Sequence, residues 1–148
     1  MSMFFVQHGI ALDKSVDMDR SLSEQGEQNV KKIVNHFAKQ GLNIKQVFHS
    51  GKIRSAQTAH LFALILQIPK VQQMDLLNPN DDVNKLMPLL EDNCMYVGHL
   101  PHMGKMVSRL LCGNENIRIV QFENAAVVCI NRDEEGYYLN WMLKPSML

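Results

Sequence analysis

Three short segments carry side chains able to handle a phosphate group. In Phe4-Phe5-Val6-Gln7-His8-Gly9 an apolar run stops at a histidine followed by glycine. Such a run reads as a buried strand, and an imidazole at its exit is placed to serve as a nucleophile or as an acid or base. Gly9 allows a tight turn and leaves no side chain to obstruct a ligand. A second apolar run ends at His49-Ser50, with Arg54 about one helical turn further on, and a third ends at Gly98-His99. Two histidines, an arginine and the N-termini of the helices that follow would together suit a compact anion, phosphate above all. Singly, each residue has a plainer reading. His8 could be an ordinary strand-end histidine, Arg54 an exposed helical arginine in a salt bridge, and His99 a core histidine bonded to backbone.

The elements that must bring them together alternate along the chain. After the first strand comes a polar loop over residues 11–22. Ser23 is then a candidate N-cap for a helix whose Val30, Ile33, Val34 and Phe37 follow the helical stripe, with Gly41 as its C′ residue. Residues 44–49 read as a second strand, and Ser50 as the cap of a helix that runs to about residue 67 before Pro69. Residues 71–77 are a short strand candidate, and Val83, Leu86, Met87 and Leu90 mark a third helix. Residues 94–98 form another strand. A last helix starts near Pro101, buries Met103, Met106, Val107, Leu110 and Leu111, and closes at Gly113. Residues 117–143 predict two or three strands, with a hairpin turn at 133–136. This alternation predicts an α/β fold, a three-layer α/β/α sandwich with a mostly parallel mixed sheet, in one domain spanning residues 1–148. Ligands of open α/β sheets bind beyond the carboxyl ends of the strands, so His8, Ser50, Arg54 and His99 are expected to share a pocket.

Composition narrows the function classes. The 148 residues are 46% hydrophobic and 20% charged, with a formal net charge of zero. No broad basic face offers itself to nucleic acid or to an anionic membrane, so anion binding must come from a few focused residues. No apolar stretch has the length of a membrane span, and the start of the chain lacks the features of a signal peptide. Cys94, Cys112 and Cys129 lie in apolar contexts and are expected to be reduced core residues of a cytoplasmic protein. His99 and His102 have a His-x-x-His spacing but gather no third ligand nearby, so no metal and no cofactor is expected. His102 is assigned to a polar helix face, and the ten methionines mostly to the core.

Five blocks in order carry a resemblance. They are Gln7-His8-Gly9, residues 20–26 (Arg-Ser-Leu-Ser-Glu-Gln-Gly), residues 50–59 (Ser-Gly-Lys-Ile-Arg-Ser-Ala-Gln-Thr-Ala), residues 77–83 (Leu-Asn-Pro-Asn-Asp-Asp-Val) and residues 98–101 (Gly-His-Leu-Pro). With them the chain resembles the histidine phosphatase superfamily, with its phosphoglycerate mutase-like fold, and within it the short SixA-type phosphohistidine phosphatases. The resemblance implies that His8 is a nucleophile that becomes transiently phosphorylated. It implies that Arg54 binds the phosphate, that His99 is the second pocket histidine, and that Arg20 lies near the phosphate. Gln7, Gly9, Ser50 and Leu100 complete the expected phosphate-binding set. The implied substrate is phosphohistidine on a partner such as a histidine phosphotransfer domain or a carrier of a sugar phosphotransferase system.

Two departures bear on activity. The family motif is Arg-His-Gly, and Gln7 stands where its arginine belongs. A glutamine amide donates neutral hydrogen bonds but supplies neither the charge nor the planar fork of a guanidinium. The second concerns the acidic residue that larger members use to protonate an alcohol leaving group. Asp75, Asp81 and Asp82 offer no recognisable acid motif and read as turn and cap residues. A departing imidazole needs less help than an alkoxide, which favours phosphohistidine. His8 must be neutral to attack, whereas His99 would hold phosphate best when protonated, so activity is expected to peak near neutral pH. A small general phosphoesterase, or a weakly active phosphate binder, is the alternative.

Overall fold

In a computed structural model that describes residues 1–148, six strands form one sheet. The strands are β1 (Ser2–Gln7), β2 (Gln46–His49), β3 (Val71–Gln73), β4 (Cys94–Gly98), β5 (Val127–Asp133) and β6 (Gly136–Leu143). Their order across the sheet is β3-β2-β4-β1-β5-β6. The β2–β3, β2–β4 and β1–β4 pairs are parallel, and only β5 runs against its neighbours. The helices are α1 (Glu24–Ala38), α2 (Ile53–Leu66), α3 (Val83–Leu86) and α4 (His102–Cys112).

Alternation along β1 decides the layering. Phe4 and Val6 face a core built with Val30, Ile33 and Phe37 of α1 and Ala59 and Phe62 of α2. Met3 and Phe5 face the opposite core, with Val83 and Leu86 of α3 and Met103, Met106 and Val107 of α4. The sheet therefore lies between two helical layers. This is the three-layer α/β fold that the sequence predicts, with the antiparallel hairpin at one edge.

Several boundaries differ from expectation. Ser23 caps α1 by accepting a hydrogen bond from Gly26 N–H. The helix ends sooner than Gly41, with Lys39 as C-cap, and Gly41 takes its positive φ two residues later. Ser50 does not cap α2, because Lys52 occupies that position with no side-chain cap. The hydroxyl of Ser50 is used elsewhere. The third strand stops at Gln73, and the third helix is a single turn followed by a 3-10 turn at Met87–Leu89, where Pro88 interrupts α-helical bonding. Cys112 is exposed on the last turn of α4, although Cys94 and Cys129 are buried as expected.

The strand order places a switch point beside β1. From β1 the chain crosses over β4 to reach β2, and after β4 it crosses β1 to reach β5. The carboxyl ends of β1 and β4 are thus adjacent while their following segments diverge, which opens a crevice there. His8 N–H donates to Gly98 C=O at 3.0 Å and ties the two strand ends together. On one side of the crevice, α1 comes very close to the loop after Gly9. A Cβ at Gly26 would stand 2.0 Å from the Ile10 carbonyl oxygen, so only glycine fits there.

Candidate active site

His8 and His99 leave the ends of β1 and β4 with ring centroids 5.0 Å apart, tilted at 55°. Both rings are enclosed, at 9% and 2% exposure. His8 Nδ1 lies 2.6 Å from the Gly9 carbonyl oxygen. A carbonyl can only accept, so Nδ1 carries the proton and the lone pair of the neutral ring resides on Nε2. The structure thus presents an imidazole with a free Nε2 lone pair, in a defined tautomer.

The surroundings hold that ring in place. Gly9 N–H donates to Thr58 Oγ1 at 3.0 Å, and Thr58 Oγ1 donates to the Arg54 carbonyl at 2.8 Å. Asn124 Nδ2 donates to the His8 carbonyl at 3.1 Å. Both polar groups of Gly9 are therefore engaged. Contrary to expectation, Gly9 serves the His8 ring and has no donor left for phosphate.

Ser50 behaves similarly. Its hydroxyl lies 2.7 Å from His99 Nε2 and accepts from Lys52 N–H at 3.3 Å. Its N–H donates to Ser55 Oγ at 3.1 Å, which in turn donates to the Val97 carbonyl at 2.7 Å. His99 Nδ1 is buried with no partner in the chain; in the tautomer where the Ser50 hydroxyl donates to Nε2, the ring proton sits on that Nδ1. That N–H is a ready donor for an anion in the crevice. The Arg54 Nε is another buried atom without a partner. Leu100 exposes its side chain, at 40%, on the segment leading into α4.

Arg20 reaches the same place from the loop before α1. Its backbone φ is 50°, and its Nε donates to the Leu12 carbonyl at 3.1 Å. The ion pairs of the chain are Lys31–Glu27, Lys45–Glu91 and Arg132–Asp92, so neither Arg20 nor Arg54 is in an ion pair, although Asp13 lies within the field of Arg20. Two guanidiniums without ion-pair partners beside two imidazoles favour a doubly charged oxyanion.

Burial, reinforced by these charges, sets the protonation of the rings. Burial pushes His8 down to about 4, with Arg54 and Arg20 adding to the effect and the Gly9 carbonyl opposing it. Burial likewise brings His99 down to about 3, helped by His8, Arg54, Lys52 and His102. The expectation of a protonated His99 is therefore corrected. In the free protein both rings are neutral at pH 7, because a buried imidazolium would face the guanidiniums.

This has a consequence for stability. The unfolded chain protonates these rings near pH 6.5, the folded one only near 4 and 3. As pH falls through that window the unfolded state binds more protons, and stability is lost. Each unit of displacement is worth about 1.4 kcal/mol. The urea midpoint is expected to decline steadily from pH 6.5 to 4, and His8→Asn to flatten the decline. Ring-nitrogen NMR at pH 6 should show His8 neutral with its proton on Nδ1; a ring titrating near 6.5 would contradict this assignment.

Other titratable residues fall outside the crevice. His49 Nδ1 accepts from Gly51 N–H at 3.1 Å, and its ring lies 5.8 Å from that of His60. His102 is completely buried and does not occupy a polar helix face. It and His99 gather no third metal-binding side chain. Asp81 accepts from Asn78 N–H at 2.8 Å and Asp82 caps α3, so both are local turn and cap residues.

No family model matches the chain. The phosphohistidine phosphatase SixA of Escherichia coli strain K12 is 27% identical to it, over all of this chain and 96% of that protein. A solved structure of the protein histidine phosphatase SixA complexed with tungstate superposes with a TM-score of 0.85, at 25% identity, covering 99% of both chains. The chain is a homologue of SixA along its whole length. It is a phosphatase, a hydrolase built on the superfamily's phosphoglycerate mutase-like α/β fold. A SixA structure from Agrobacterium tumefaciens, at 18% identity and a TM-score of 0.81 over 97% of both chains, shares that fold. So does an Escherichia coli alpha-ribazole-5′-P phosphatase, at 15% identity and a TM-score of 0.78 over 98% of both chains.

Within this SixA-type chain, Gln7 lies opposite Gly98 in the β1–β4 register, at the floor of the crevice. Its side-chain Oε1 is buried without a partner. Reading the sequence missed Ser55, Thr58 and Asn124. Thr58 follows Arg54 by four residues and shares its helical face, which was the available signal; Ser55, directly after Arg54, points to a different face and gave none. Asn124 belongs to an irregular segment and gave none.

Proposed function

We propose that the protein hydrolyses phosphohistidine on a partner protein through a phosphorylated His8, acting as one histidine phosphatase domain over residues 1–148. The observation that carries this reading is the His8 tautomer, with Nε2 unprotonated beside two guanidiniums without ion-pair partners. His8 Nε2 attacks phosphorus in line with the substrate imidazole. The bond from phosphorus to the substrate nitrogen breaks, its electron pair stays on that nitrogen, and the released imidazole takes a proton from solvent. Arg54, Arg20 and His99 Nδ1–H hold the equatorial oxygens through the transition state. Water then attacks phosphorus, the bond to Nε2 breaks, and His8 returns neutral as phosphate leaves.

The choice of phosphohistidine over an alkyl phosphate follows from what surrounds the crevice. Asp81 and Asp82 are used as turn and cap, and Asp75 lies exposed in the segment after β3, so none of these three carboxyls is held ready to protonate an alkoxide. Imidazole leaves without one. That a solved SixA structure was obtained as a complex with tungstate, an oxyanion, supports a phosphate-like ligand. A histidine phosphotransfer domain or a phosphotransferase carrier is the substrate class proposed. The cytoplasm is the proposed location; three free cysteines accord with it, and no helix is long and apolar enough to cross a membrane. The test is turnover of a phosphohistidine protein beside a phosphoserine peptide, with at least a hundredfold preference expected for the former. Equal rates would sink the leaving-group argument.

Gln7 favours a second reading, a phosphate-binding protein of low turnover. Replacing Gln7 by Arg distinguishes the two. A charged fork at the crevice floor should tighten phosphate binding and raise turnover by roughly tenfold to a hundredfold, in a salt-sensitive manner. Lost activity would mean that the crevice is built around glutamine.

A further inference from the structure

We infer that the cleft beside the crevice, between α4 and residues 115–122, is a docking groove for an acidic stretch of the phosphohistidine-bearing protein. The inference rests on the proposed function for the identity of the substrate. The cleft has a volume of about 260 Å³ and is lined by Leu100, Gly104, Lys105, Ser108, Arg118 and Phe122, among others. Both of its walls begin at the reacting centre. Leu100 directly follows His99, and Phe122 lies two residues before Asn124, whose amide holds the His8 carbonyl. A segment lying in the cleft would therefore be continuous with a phosphohistidine seated between His8 and His99.

Two independent features of the cleft point to an occupant. The first is charge. Lys105 and Arg118 are exposed on opposite walls, and neither makes an ion pair with any carboxylate of the chain. Glu115 is the one acidic side chain in the lining. The second is Gly104. Glycine inside a helix costs about 1 kcal/mol relative to alanine. The chain does not need it there, since a Cβ would meet nothing nearer than Leu100 Cδ2 at 3.9 Å. The bare backbone of α4 at Gly104, next to Lys105, leaves the cleft wall open for another chain to approach. Backbone-level contact with flanking cations suits an extended acidic segment.

The experiment uses fluorescently labelled synthetic phosphohistidine peptides, one with Asp and Glu flanking the histidine and one with Ala in their place. Free phosphohistidine, which does not reach the cleft, is the reference substrate. The acidic peptide should show a KM roughly tenfold lower than the neutral one, with kcat unchanged. The double variant K105E/R118E should erase that difference. Gly104→Leu, a favourable helix substitution, should raise KM for both peptides and leave free phosphohistidine unaffected. Equal KM values for the two peptides in the wild type, or a difference that survives the double reversal, would overturn the docking groove. If no phosphohistidine is hydrolysed, the proposed function fails by itself. Anisotropy of the same labelled peptides then decides the groove, with flank-independent binding overturning it.

Discussion

His8→Ala is expected to lower hydrolysis of a phosphohistidine protein by about a thousandfold or more, since it removes the atom proposed to accept the phosphoryl group. Binding of inorganic phosphate should survive within a few fold, because Arg54, Arg20 and His99 remain. The contrast is the informative part. His8 is 9% exposed and hydrogen-bonded to Gly9 C=O at 2.6 Å, so its loss could also disturb the loop. A folded variant that still binds phosphate but does not turn over separates chemistry from architecture. Turnover within tenfold of wild type would remove His8 from the reaction.

Arg54→Ala should have the next largest effect, and on binding as well as rate. Arg54 has an unpartnered buried Nε and no carboxylate neighbour, and burial together with Arg20 lowers its pKa from the ordinary value. Its charge is left unpaired, and an anion is its proposed partner. A hydrogen bond to a charged group contributes roughly 1.5–3 kcal/mol, so vanadate affinity should fall by about tenfold to a hundredfold or more. Lys52→Ala, on the exposed N-cap of the same helix, should change it by less than about threefold because solvent screens that charge. Calorimetric titration of both variants provides the check. Equal losses would place the anion elsewhere.

Much of this arrangement was legible in the sequence because it depends on local signals. Apolar runs that stop at His8, His49 and Gly98 located the strand ends, and the open-sheet rule placed them at one edge. The α1 stripe and Ser23 cap were readable for the same reason. What stayed hidden depended on contacts distant in sequence. Ser50 looks like a cap by spacing, yet its hydroxyl faces His99, 49 residues away. Gly9 looks like a phosphate neighbour, yet Thr58 takes its N–H, also across 49 residues. The protonation of His99 differs from expectation because burial first, and then the neighbouring Arg54, Lys52 and imidazoles, outweigh the ordinary imidazole value, and neither burial nor neighbours can be counted before folding. His102 was given a polar helix face because its own neighbours are mixed; only the packing of α4 on the sheet shows it enclosed.

The most direct test of the mechanism is the position of the covalent phosphate. Incubation with a phosphohistidine protein, an alkaline quench and mass spectrometry should find acid-labile phosphate on His8. Nitrogen–phosphorus coupling should place it on Nε2, since Nδ1 is committed to the Gly9 carbonyl. Turnover with phosphate on Nδ1, on another residue, or on no residue of the protein would contradict the mechanism.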